Sequence, residues 1–292
     1  MAEPRKIVLS HQLDIGDTCM ATIAVRDLHL SHPGEYLTDF RSRWPDLWLN
    51  NPYITPLEDS EAERFDIGYP LIQNAGSLSF SDGFRLDLAD QLGVDIPFTS
   101  MNIDLYLDME EKKRNIVQEK FGYPGKYWIL NGGYKADAIL KYYPFYQEVV
   151  DELKNNIQIV QVGSNSDVHP ELEGVFSLVG ETSLRELIQV IYRSEGTIGP
   201  ISAQFVLATA FNKPSVIIAG GKEPPRWQMY NYHRYLSVSG CLPCCANGGC
   251  WTAKFNDCKS RVGNVPRCFA MISPKEVARN VLLYYDGGFL SY

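Results

Sequence analysis

Long hydrophobic runs are missing from this chain. No stretch approaches 18 continuous apolar residues, so no helical membrane span is expected. Positive charge is also short: 27 Lys and Arg against 35 Asp and Glu leave a net charge of −8, which argues against a nucleic-acid partner. The opening "MAEPRKIVLSHQLDIGD" has a basic pair, but its apolar run ends at Ser10 and charged residues follow. It does not read as a signal peptide, and the expected compartment is cytoplasmic and reducing. No internal repeat or low-complexity tract is visible.

Cysteine is nearly absent outside one segment. Cys19 stands alone on a predicted helix as a core residue, while "CLPCCANGGCWTAKFNDCKSRVGNVPRC" holds the other six: Cys241, Cys244, Cys245, Cys250, Cys258 and Cys268. A reducing compartment disfavours disulfides. Two thiolates two residues apart can reach one tetrahedral ion, and two further cysteines close such a site. Metal is therefore favoured over disulfides or free thiols, with two of the six as spectators. The nearest histidine is His233, so an all-sulfur site for structural Zn or Fe is expected, with no position open to substrate. No redox or organic cofactor is expected.

What the chain does contain is core-forming material, 45% hydrophobic with 17 tyrosines, in an order that reads as α/β. "KIVLS" reads as a buried strand and "GDTCMATIAVRDLHLSHPG" as a helix, with Met20, Ile23, Ala24 and Leu28 on one face and Pro33-Gly34 stopping it. "EYLTDF", "RFDIGYPLI" and "NIDLYLD" read as strands and "FRLDLADQLG" as a helix. Further on, "YWILNGG" is a strand entering a double-glycine turn, and "ILKYYPFYQEVVDELK" has helical spacing from Ile139 to Leu153. "IQIVQVGS" is a strand again. "TSLRELIQVIYRS" is a helix opened by a capping box at Ser183 and Glu186. "GTIGP", the helix "SAQFVLATAFNKP" and the strand "SVIIAGG" complete a β-α-β-α-β alternation with glycines at strand carboxyl ends. "SPKEVARNVLLYY" predicts a last helix capped by Ser273.

Two Rossmann-like domains facing a central cleft are expected: 1–115, then 116–272 carrying the cysteine-rich segment 241–268, with 273–292 a closing helix and tail. Ligands bind outside the carboxyl ends of strands in such sheets. That points to the loops around Asp17, Asn131 to Lys141, Gly163, Gly199 to Ser202, and Gly220 to Trp227. Asn131, Gly132 and Gly133 are either a tight turn or a place where backbone N–H groups approach phosphate. Glu223 and Trp227, after Gly221, either line a pocket or belong to a surface loop.

These motifs resemble glycosyltransferase family 9, the ADP-heptose:lipopolysaccharide heptosyltransferase-like enzymes. "DIGDTCMATIAVRDLHLSHPG" is similar to the family's first turn and helix. "LVGETSLRELIQVIYRSEGTIGPISAQFVLATAFNKPSVIIAGG" is similar to its C-terminal signature through Gly180, Thr182, Ser183, Leu184, Glu186, Leu187, Gly199, Ser202, Ala208, Ala210 and Lys213-Pro214. The matches span most of residues 7 to 290. The resemblance implies a GT-B fold and an inverting transfer of a sugar, heptose among the candidates, from a nucleotide-sugar donor to an acceptor hydroxyl on a glycan, protein or small molecule. It implies that Asp17 is the base, that the first domain binds acceptor and that the second binds donor. Lys141, with Lys135 as the alternative, is implied as a pyrophosphate contact, which suits a point-charge ammonium. Ile201-Ser202-Ala203 and Val206 stand where most members have Asp-Ser-Gly and a His, so Ser202 alone carries the polar role there. Cys241, Cys244, Cys258 and Cys268 resemble the spacing of the iron-binding finger of autotransporter heptosyltransferases. A same-fold nucleotide-sugar epimerase and a non-catalytic nucleotide-sugar-binding protein are the other readings. The five histidines count against the first, and a homo-oligomer is left open.

Overall fold

The computed structural model describes residues 3–70, 78–135, 141–221, 223–238, 241–242, 258 and 260–285. The chain divides into two compact units, Met1–Lys112 with Arg226–Tyr230, and Lys113–Pro225 with Asn231–Tyr292.

The first unit is built on β1 (Arg5–Ser10), α1 (Ile15–Ser31), β2 (Tyr36–Arg41), β3 (Glu63–Asp66) and α2 (Phe80–Leu92). The three strands are parallel in the order β2-β1-β3. Apolar periodicity predicts one buried face for α1, yet every residue from Thr18 to Leu28 is buried, Arg26 and Asp27 included. A helix buried all round can hold charge only where that charge is paired. Arg26 bonds Asp27 at 2.9 Å and Asp104 at 2.9 Å, and it donates to the carbonyls of Asn102 and Ser100. Asp27 accepts from the Thr99 hydroxyl and backbone N–H.

That network corrects the strand expected at "NIDLYLD". Ile103, Leu105 and Leu107 are buried in alternation, but the segment joins no sheet. It runs extended along α1, with the Asp104 N–H donating to Thr22 Oγ1 at 3.1 Å. Side-chain partners take the place of a ladder. "RFDIGYPLI" shortens to β3, and residues 71–77 lie outside the described ones.

The boundary between the units falls at the end of α3 (Met109–Lys113), and the second unit opens with α4 (Ile116–Phe121). It contains β4 (Tyr127–Leu130), α5 (Tyr146–Leu153), β5 (Gln158–Gln161), β6 (Phe176–Ser177), α6 (Leu184–Arg193), β7 (Gly196–Gly199), α7 (Ala203–Thr209), β8 (Ser215–Gly220) and β9 (His233–Ser237). The six strands are all parallel, in the order β6-β5-β4-β7-β8-β9. The order runs outward from β4 in one direction and from β7 in the other, which is the doubly wound pattern with its switch point between β4 and β7. A small hairpin, β10 (Arg261–Val262) with β11 (Val265–Pro266), leads through α8 (Arg267–Ala270) to α9 (Pro274–Tyr285).

The capping box at Ser183 and Glu186 forms as predicted. The helix expected from Ile139 begins instead at Tyr146. Pro144 disfavours helical backbone at the residue before it, and Ile139 lies outside the described residues. The burial pattern survives this: Tyr143, Tyr146, Val149, Val150 and Leu153 pack with Trp128, Ile198, Val216, Phe269, Val277 and Val281 into one core. β9 is an element that the sequence reading did not find.

Candidate functional site

At the carboxyl end of β4, the Asn131 side chain spans the switch point of the second sheet. Its Nδ2 donates to Ser202 Oγ at 3.2 Å and to Gln204 Oε1 at 3.4 Å, while its Oδ1 accepts from the Gly133 N–H at 2.9 Å. Ser202, at the N-cap of α7, makes no capping bond and gives its hydroxyl proton to Gln204. Gln204 donates in turn to the Pro200 carbonyl at 3.2 Å. Gly199 has to be glycine here, because a Cβ would lie 2.7 Å from the Asn131 carbonyl oxygen and 2.5 Å from Gln204 Nε2. The result is a neutral cluster of two amides and a hydroxyl at the place where doubly wound sheets take their ligands.

The neighbouring glycines have a different environment from the open phosphate approach that the sequence suggests. The ring of His169 fills the space over Gly133 and Gly163, where added Cβ atoms would fall 2.2 and 1.9 Å from its Cε1. Its Nε2 pairs with the Ser164 carbonyl at 3.0 Å. Pro170 and Tyr146 cover Gly132. At the end of β8, Gly220 takes a left-handed φ of 57° and turns the chain into buried Gly221 and Glu223. The Glu223 carboxylate, 2% exposed, pairs with Lys141 at 3.4 Å. Lys135 is exposed in the loop after Tyr134. The structure thus brings together Asn131 with Ser202, Gly133 with Gly163, and Lys141 with Glu223. Gln204 and His169 were missed by the sequence reading; Gln204 was detectable as a polar residue two positions after Ser202, whereas nothing in "SDVHPEL" marks His169.

In the first unit, Asp17 lies half-buried in the first turn of α1. Its carboxylate accepts from the Asp14 N–H at 3.2 Å, one half of a capping box whose other half is the Asp14 side chain on the N3 amide. The chain between β1 and this turn is held at Leu13. His11 Nδ1 accepts the Leu13 N–H at 3.1 Å, and Trp44 Nε1 donates to the Leu13 carbonyl at 3.3 Å. Burial pushes the His11 imidazole down to about 4, against the opposing pull of Asp66, so it is neutral at physiological pH. Cys19 is fully buried, and its thiol is pushed up by burial and by the charge of Asp17, as befits an unreactive core residue.

Of the six clustered cysteines, Cys244, Cys245 and Cys250 lie outside the described residues. Cys241 is exposed, and Cys258 and Cys268 are half-buried. Cys258 and Cys268 flank the β10–β11 hairpin, closed by the Arg267 N–H on the Ser260 carbonyl at 2.9 Å. The Cys258 Sγ donates to the Ser260 carbonyl, and Cys268 packs against the apolar core beside Gly220. Among the described residues, no group of three or more His, Cys, Asp or Glu side chains is gathered that could hold an ion.

Two parallel α/β units, the second with a polar cluster at its switch point, define a protein of the Rossmann-like α/β class. Residues 84–248 match the model of glycosyltransferase family 9 (heptosyltransferase), and the chain belongs to that family. It is a glycosyltransferase. Among solved structures it is similar to the iron-containing dodecameric glycosyltransferase TibC from enterotoxigenic E. coli, at 16% identity and a TM-score of 0.70, over 98% of this chain and 77% of the other. TibC has also been solved in complex with ADP-D-β-D-heptose. The family 9 glycosyl transferase of Veillonella parvula matches at 14% identity and 0.65, over 82% and 87% of the two chains. E. coli ADP-heptose LPS heptosyltransferase II matches at 14% and 0.62, over 95% and 97%. At these identities the likeness is one of fold, and it places the chain beside GT-B enzymes. No curated protein matches the sequence. Among the described residues, no helix is long and apolar enough to cross a membrane.

Proposed function

We propose that the chain is an inverting enzyme that moves a sugar from a nucleotide-sugar donor to an acceptor hydroxyl. The acceptor oxygen attacks the anomeric carbon and gives its proton to Asp17. The bond from that carbon to the phosphate oxygen breaks, and the nucleoside diphosphate leaves with the electron pair. Asn131, Ser202 and Gln204 hold the donor through neutral hydrogen bonds, exchanging their bonds to one another for bonds to ligand. Lys141 faces the pyrophosphate once its pairing with Glu223 is shared, and Gly132, Gly163, Gly221 and Lys135 lie in the surrounding loops. The observation that carries this reading is the Asn131–Ser202 hydrogen bond across the switch point.

Family membership favours transfer over the epimerase and the pure binding protein. A panel of nucleotide sugars, led by the ADP-D-β-D-heptose that TibC binds, tests it through thermal shift and donor consumption in the presence of candidate acceptors. One donor should both stabilise the protein and be turned over. Stabilisation without turnover of any donor would leave the binding-protein reading standing.

The cysteine segment belongs to the same proposal as a structural Zn or Fe site made by four of the six thiols, favoured as Cys241, Cys244, Cys258 and Cys268. A closed thiolate site ties loops together and takes no part in the transfer. Less than about half an equivalent of Zn or Fe in purified protein argues against it. The enzyme is proposed to work in the cytoplasm, where these thiols stay reduced. Assembly into a homo-oligomer, as TibC assembles, is part of the proposal.

A further inference from the structure

Along the edge of the second sheet runs a groove that the transfer reaction leaves unused. It lies between β9, the last strand in the order, and α9, and has a volume of about 560 Å³. Arg234, Lys275, Glu276, Arg279, Asn280 and Leu283 line it, so three cations face one carboxylate in a chain of net charge −8. Arg234 stands in register with Val216, the second residue of β8. It therefore lies toward the amino ends of the strands, whereas Asn131 and Ser202 stand at the carboxyl ends.

The three cations are placed against local preference. Lys275 stands in the first turn of α9, where the helix dipole favours negative charge. Arg279 follows at i+4, the spacing at which like charges on a helix repel. Val277, Ala278 and Val281 bury the other face of α9, which keeps Lys275 and Arg279 together on the exposed one. Arg234 is held from β9. Its guanidinium carbon lies 5.0 Å from the centroid of the Tyr284 ring, and the Tyr284 hydroxyl donates to the Tyr232 carbonyl at 2.6 Å. The Arg234 Nε is buried with no acceptor among the described residues. None of the three cations makes an ion pair with a described residue, in contrast to Arg114 and Lys120, which hold Glu119 and Glu181.

We propose that the groove is a second, non-catalytic binding site for a phosphate-bearing anion, separate from the donor and acceptor of the transfer reaction. Such an anion meets the amino end of α9, relieves the repulsion between Lys275 and Arg279, and gives the stacked Arg234 guanidinium an acceptor. Guanidinium forks match phosphate oxygens in pairs, which an ammonium cannot do. The volume is that of a small-molecule site rather than of a phosphate alone, and Leu283 offers an apolar wall to the organic group that the phosphate carries. Glu276 on the rim keeps the positive surplus small, which suits one dianionic group rather than a nucleic-acid backbone. The phosphate comes from a soluble compound or from a lipid headgroup, and the chemistry of capture is the same.

The test titrates the full-length protein with inorganic pyrophosphate by calorimetry, and no step of it needs turnover. Wild type should bind, and added salt should weaken the binding. The double variant Arg234→Gln/Arg279→Gln should bind at least about ten-fold more weakly, the weight of one charge-assisted hydrogen bond. Asn131→Ala, at the switch point, should keep the groove's affinity within about two-fold. Without anion, Lys275→Gln should leave Tm unchanged or raise it, because a repulsion is removed. No binding to wild type, or wild-type affinity in the double variant, would overturn the site. So would binding lost in Asn131→Ala, which would place the anion at the switch point, or a clear fall in Tm in Lys275→Gln, which would make the cations structural. Flotation with phosphatidylcholine vesicles, with and without phosphatidic acid, separates the two sources. Capture that needs phosphatidic acid and is lost in the double variant assigns a headgroup, whereas pyrophosphate binding without capture assigns a soluble phosphate compound.

Discussion

Beyond the carboxyl end of β1 stand His11, Asp14 and Asp17, all ionisable; beyond β4 and β7 stand Asn131, Ser202 and Gln204, none of which carries charge. The first group is fixed by backbone bonds, a capping box and the two clamps on Leu13. The second is fixed by side chains bonding one another. A carboxylate that must take a proton needs one geometry at all times, and backbone partners give it. A cluster that must admit a ligand gains from bonds that can be exchanged at little net cost, since hydrogen bonds among neutral groups contribute only about 1 kcal/mol each. The contrast extends inward. Polar groups buried in the first unit, the Arg26–Asp27–Asp104 network, pair with one another inside the core, whereas the polar groups at the strand ends of the second are the ones proposed to bind.

The sharpest way to break that contrast is Asp27→Ala. Asp104 still pairs with Arg26, but the change breaks one of the two buried ion pairs of Arg26 and takes the acceptor from the Thr99 hydroxyl and N–H, at a cost of about 3 kcal/mol, the lower end for breaking a buried pair. Urea denaturation should show this loss, with unfolding of the first unit preceding that of the second.

A smaller effect lies in the second unit and depends on pH. His233 Nε2 pairs with the Thr209 hydroxyl at 3.1 Å, and burial pushes the imidazole down to about 3 from 6.5. The folded state then binds fewer protons than the unfolded one between those values. Its contribution is complete above pH 6.5 and is lost as pH falls toward 3. At pH 5, about 1.5 units below the unfolded value, the loss is about 2 kcal/mol. Melts of wild type and His233→Gln at pH 7.5 and 5.0 should show a shallower pH dependence in the variant.

The smallest expected effect is that of Asn131→Ala. It removes neutral hydrogen bonds at the switch point and should weaken nucleotide binding about 5–15-fold, equivalent to about 1–1.5 kcal/mol. Stability should move little, since Asn131 is only half-buried. A large loss of stability in its place would make the cluster structural and erase the comparison.

Local signals carried much of the second unit into view. Strands β7 and β8 end in glycine, the capping box at Ser183 and Glu186 is contiguous in sequence, and Pro144 marks where a helix cannot run. The first unit hid more. The apolar stripe on α1 is real, but its polar side is buried too, by Thr99 to Asp104, which lie more than 70 positions away. No periodicity can report a partner at that distance. Asp17 was legible because it belongs to a motif, and Ser202 because it was the one polar group left in its tripeptide. Gln204 falls between these cases, since it sits in a visible helix but bonds across to a different strand.

The division of labour between the two strand-end clusters is tested most directly in Asp17→Asn, a change that keeps an acceptor for the Asp14 N–H. With the donor found by the panel, kcat should fall about 10²–10⁴-fold, the range that a positioned general base supplies. Nucleotide affinity measured on the same protein should match wild type. Retained kcat, or a parallel loss of nucleotide affinity, would contradict the account.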